Sequence, residues 1–98
     1  MAGRRLTAGR RGPDGRIRAV ALVERANRIR EAARARYAAA QTDAERLAAA
    51  VDYVRAAAAA ADRAGLAEAG AVRAEATRTL MAVGDTITGR LARQGRAA

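Results

Sequence analysis

Few side chains in this sequence can do chemistry. Of its 98 residues nineteen are arginine, and lysine, serine, histidine, cysteine, phenylalanine and tryptophan are all missing. Without histidine and cysteine the common zinc and haem sites cannot be assembled, and no disulfide can form. Nucleophiles of the serine, cysteine and lysine kinds are absent too, which leaves threonine, tyrosine and ten carboxylates. Those carboxylates form no acid/base pair or metal-ligand spacing, so the expectation is a non-enzymatic protein that needs no cofactor. Arginine is the group left to act. Its planar guanidinium donates in a fork that fits phosphate or carboxylate two bonds at a time. A formal net charge of +9 accordingly points to polyanionic partners.

The positive charge is unevenly placed. Residues 1–15 carry Arg4, Arg5, Arg10 and Arg11 against Asp14, and residues 16–41 carry seven arginines against Glu24 and Glu31. The remaining 57 residues are close to balance, with eight arginines and seven acids. A composition dominated by alanine, arginine and glycine is that of a GC-rich bacterial genome, where arginine is the default cation. Composition bias acts on the whole chain, however, and does not concentrate charge in one half. Within residues 16–40, Arg18, Arg25 and Arg36 fall on one border of the apolar stripe, and Arg16, Arg30 and Arg34 on the other. Arginines so placed can lay their stems over a core while their heads stay in water. Glu24–Arg28 and Glu31–Arg34 have the spacing of helical ion pairs.

The elements that position these groups are helical. Alanine and arginine both favour helix, and leucine, isoleucine and valine together supply only 15 residues. Residues 1–15 show no periodicity and four glycines, and predict a flexible arm ending in a turn at Gly12–Gly15. Leu22, Ala26, Ile29, Ala33, Tyr37 and Ala40 then recur at helical steps. Thr42-Asp43-Ala44-Glu45 fits a capping box, so one helix ends near Ala40 and a second starts at Asp43. Leu47, Val51, Val54, Ala58 and Ala61 form the second stripe, and Gly65 is a natural helix stop with Leu66 placed to pack back. The third stripe is Val72, Ala76, Leu80, Val83, Ile87 and Leu91. Gly84-Asp85 is a point where that helix could bend.

Folded back on one another, the stripes fall into common layers, such as Ile29, Val54 and Ala76. The expected fold is an all-α antiparallel three-helix bundle, with helices over about 16–40, 43–64 and 67–93. Residues 1–15 are the arm, 16–93 the single domain, and 94–98 a frayed tail. A core this thin invites completion by a partner.

The leading functional expectation is association with nucleic acid, DNA in particular, through Arg4, Arg5, Arg10, Arg11, Arg16 and Arg18. Such binding is electrostatic and weakly sequence-selective, as in an accessory or regulatory protein. Two tyrosines alone make no aromatic stacking platform. The alternative is a helical interaction module, completed by an acidic protein or by a second copy in a homodimer. Its contacts are Ile17 and Val20, off the main stripe, with Ile87 and Leu91 at its far end. An amphipathic membrane-surface helix ranks below both, because the first stripe is mostly alanine. No segment is long and apolar enough to span a bilayer, no signal-peptide pattern follows Arg4-Arg5, and the expected location is cytoplasmic.

Overall fold

The helix-forming bias of the sequence is realised almost without interruption. A computed structural model describes residues 13–65 and 67–97, side chains of the end residues and backbone of residue 66 apart. It shows α1 (Pro13–Ala39), α2 (Asp43–Ala64) and α3 (Ala69–Ala97), with no strand among the described residues. The protein is an all-α three-helix bundle.

The helix ends have local causes. Pro13 opens α1 rather than bending a turn, because a proline at the first helical position has its φ preset and lacks only an amide that would go unpaired. The expected turn at Gly12–Gly15 is therefore replaced, from Pro13 on, by the first turn of α1; residues 1–12 lie outside the described residues. The capping box is present: Glu45 N donates to Thr42 Oγ1 at 3.1 Å, and Thr42 N donates to Glu45 Oε1 at 3.2 Å. Gln41 N adds a second bond to the same carboxylate oxygen, at 2.6 Å. α2 stops at Gly65, whose φ of 59° is left-handed and whose N–H donates to Ala61 O at 3.1 Å. The packing expected of Leu66 lies outside the described residues. α3 starts two residues later than expected, after a turn at Ala67–Glu68, and runs through Gly84 to Ala97. The frayed tail expected from residue 94 is helical up to Ala97, in keeping with the helix-forming Ala, Arg and Gln there.

α2 is the central element. It packs along both α1 and α3, which barely meet each other. Its two ends show the register: Arg18 of α1 reaches Ala64 O, and Arg90 of α3 reaches Asp43. α1 and α3 therefore run parallel to each other and antiparallel to α2. The α1–α2 and α2–α3 registers agree with the expected layers to within about one turn, a residue being 1.5 Å of helix.

The rotation of α2 differs from the expected stripe. Leu47 is 41% exposed, and Val51, Val54 and Ala58 are only half-buried. The buried residues are instead Ala49, Ala50, Tyr53, Ala57, Ala60 and Ala61. A helix flanked on two sides needs a broad contact face, and small side chains on that face let both neighbours approach. Tyr53, Ala57 and Ala76 form the centre, with Ile29, Ala33, Val54 and Val72 packed against it.

The same substitution two residues apart tests this arrangement. Ala57 is 1% exposed, whereas Ala59 is exposed. Ala57→Leu should destabilise by about 1–3 kcal/mol through overpacking. Ala59→Leu should stay within about 0.5 kcal/mol of the parent in urea unfolding. Equal effects would refute the observed rotation of α2.

Candidate nucleic-acid interface

The arginines divide by whether the fold uses them. Six have carboxylate partners. Arg30 bonds Glu75 at 2.8 Å, Arg34 bonds Glu31 at 3.0 Å, Arg36 bonds Asp52 at 2.6 Å and Arg46 bonds Asp43 at 2.7 Å. Arg73 pairs with Asp62, and Arg90 with Asp43. Four of these six pairs cross between helices. Asp43, Asp52 and Asp62 of α2 each hold an arginine of a neighbouring helix. The two border rows of α1 accordingly face different elements: Arg18 and Arg36 meet α2, and Arg30 meets α3. Of the expected pairs within α1, Glu31–Arg34 forms, while Glu24 stays exposed and outside any ion pair.

A second set has no carboxylate partner among the described residues. Within it, Arg25, Arg28 and Arg63 line one shallow groove along the α1–α2 seam, above Ala56 and Ala59. The adjoining groove is lined by the same three arginines together with Arg18, and Glu24 is the one acid along it. Arg18 donates to Ala64 O at 2.6 Å, and Arg63 lies in the last turn of α2, so both complement the negative end of that helix. Arg25 and Arg28 have no such task. The sequence marked Arg25 only as a border residue and did not single out Arg28 or Arg63 as a site, because Arg63 joins the group from another helix.

The structure places the other candidates as follows. Arg4, Arg5, Arg10 and Arg11 lie outside the described residues. Arg16 is exposed near the start of α1, and Arg18 is committed to the carbonyl that ends α2. Ile17 and Val20 are 66% and 52% exposed and lie beside the end of α2. Ile87 is half-buried and Leu91 57% exposed, both at the opposite end beside Asp43. These four apolar residues do not share one surface, since the roughly 33 Å length of α2 separates the two pairs.

The two tyrosines, distant in sequence, line a single cleft between α1 and α3, of about 330 Å³, together with Arg30, Arg34 and Glu75. Tyr53 is only 7% exposed, so its ring is no open platform for a base. Burial pushes its phenol above the ordinary tyrosine value, with the Glu75 carboxylate adding to the shift. The same carboxylate, bonded to Arg30, raises that guanidinium further above its usual range. Among the described residues no group of acids is placed to hold a metal, and no helix is long and apolar enough to cross a membrane.

Asp43 is held below the usual carboxylate value by its hydrogen bonds to Arg90 and Arg46, against the opposing effect of desolvation. Comparison with protein-family models, curated proteins and solved structures finds no match to the chain.

Both shifts predict a pH dependence. A carboxylate with a lowered folded pKa stabilises the fold above its unfolded value, and that stability is lost as pH falls through the folded value. Asp43→Asn should therefore melt below the parent at neutral pH, with the gap closing at about pH 2–3. Tyr53 contributes in the opposite sense: its stability is present below pH 10 and is lost as pH rises through the raised folded value. Melting curves of parent, Asp43→Asn and Tyr53→Phe across the pH range check both.

Proposed function

We propose that this is a non-enzymatic nucleic-acid-binding protein that grips backbone phosphates, duplex DNA foremost, in an accessory or regulatory role. The observation that carries the reading is the clustering of Arg25, Arg28 and Arg63 on one seam, apart from the arginines that the fold engages in ion pairs. Guanidinium groups suit phosphate because their forked donors bond two oxygens at once and their charge does not titrate. A 27-residue helix is about 40 Å long, so α1 offers a rod of several turns to lie along or across a duplex. Arg4, Arg5, Arg10 and Arg11 add four charges just before α1 in the chain. Phosphate contacts of this kind orient a protein without reading sequence, so binding is expected to be weakly selective.

Fluorescence anisotropy of a labelled random duplex across a salt series tests this. With about six phosphates neutralised, the log–log slope of affinity against salt should be near −5. Joint replacement of Arg25, Arg28 and Arg63 by glutamine should flatten the slope by about two to three units with helicity unchanged. Removal of residues 1–12 should flatten it independently. A full chain that fails to bind at moderate salt, or a triple variant with the parent's slope, would sink the proposal.

A further inference from the structure

Beside the buried line of α3 runs a second stripe, Leu80, Gly84, Ile87, Leu91 and Gly95, at steps of four, three, four and four. Its side of the helix is set by contacts. Glu75 and Thr79 line the cleft toward α1, whereas Arg73, two turns before Leu80, pairs with Asp62 on the far flank of α2. Stepping back along α2 from Asp62 by helical intervals reaches Ala58, Val51 and Leu47. The α2–α3 flank turned away from α1 is therefore faced by Leu47 and Val51 of α2 and by the second stripe of α3. Leu47 is 41% exposed and Leu91 57% exposed. On a chain with 30% charged residues, this stripe of α3 carries none from Leu80 to Gly95.

The glycines are the second observation. A glycine inside a helix is less stable than alanine, and this chain uses alanine nearly everywhere else in α2 and α3. A Cβ added at Gly84 or at Gly95 would meet nothing within 4 Å. Packing inside the chain therefore gives no reason for either glycine. A close approach from outside does give one.

We propose that two copies of the chain pair through this flank, with their α3 helices antiparallel about an axis near Ile87 and Thr88. In that register Leu91 of each copy sits over Gly84 of the other, and Leu80 over Gly95, so each large residue meets an empty position. The surface is complementary to itself, which a two-fold interface requires. A parallel pairing would stack leucine on leucine and set Arg90, Arg93 and Arg96 of both copies side by side. The antiparallel one separates those charges and opposes the helix dipoles. An acidic partner would seek the arginines and has nothing to bond on a charge-free face. The pairing stands independently of the nucleic-acid reading, because Arg25, Arg28 and Arg63 lie along the other seam of α2.

Sedimentation equilibrium of the full chain, diluted from high micromolar to nanomolar, should show a two-chain mass giving way to one. Leu91→Asp should move that transition to at least tenfold higher concentration with helicity unchanged, and Ile17→Asp on the outer face of α1 should not. Since the chain has no cysteine, single cysteines report direction. Under mild oxidation Thr88→Cys should crosslink to itself, and Gly95→Cys should not. A one-chain mass at every concentration overturns the proposal, as does a Leu91→Asp dimer of undiminished strength. Self-crosslinking of Gly95→Cys as fast as Thr88→Cys overturns the antiparallel register.

Discussion

A helix packed between two others must be narrow on both contact faces, and the alanines of α2 meet that constraint. Ala49, Ala57, Ala60 and Ala61 are almost fully buried, and Ala76 of α3 meets them with no exposed surface at all. Leucines at these positions would drive the helices apart and leave gaps between the remaining small residues. Once the central face is given to alanine, the bulky residues of α2 can only sit at its margin. Tyr53 is the exception, filling the space where α1 and α3 diverge.

So thin an interior leaves much of the arrangement to polar contacts along the seams. α2 carries four acids against three arginines, while α1 carries seven arginines against three acids and α3 five against two. An acidic rod thus lies between two basic ones. Its aspartates engage Arg36 on one side and Arg73 and Arg90 on the other. Exposed pairs of this kind stabilise weakly one by one, but their positions set which residues of neighbouring helices lie side by side. Arginines outside the scheme, Arg25 and Arg28 above all, are the ones left to act on something else.

Much of this was legible from residue order. The Thr42–Glu45 box and Gly65 mark helix ends through local hydrogen bonding, which depends only on neighbours in the chain. With both turns located, the register of α1 on α2 and of α2 on α3 followed. The rotation of α2 did not. Leu47, Val51 and Val54 form the more apolar stripe, yet the buried face is the one with the least bulk, and alanine is too common here to mark a face. The start of α1 was misjudged because Gly12-Pro13-Asp14-Gly15 suits a turn as well as a first helical turn. The Arg25, Arg28 and Arg63 cluster needed the packing of α1 on α2 before its members could be seen together, and so did the separation of Ile17 from Leu91.

The alanine interior also shapes the response of the fold to temperature. Unfolding raises heat capacity in proportion to the apolar surface it exposes, typically by about 12–15 cal/mol/K per residue. A bundle centred on methyl groups exposes less, so its increment falls below that range. Its free energy of unfolding then follows a shallow dome, with little curvature to weaken the fold on cooling. The accompanying enthalpy is small as well, and such a protein melts over a wide interval rather than at a sharp point.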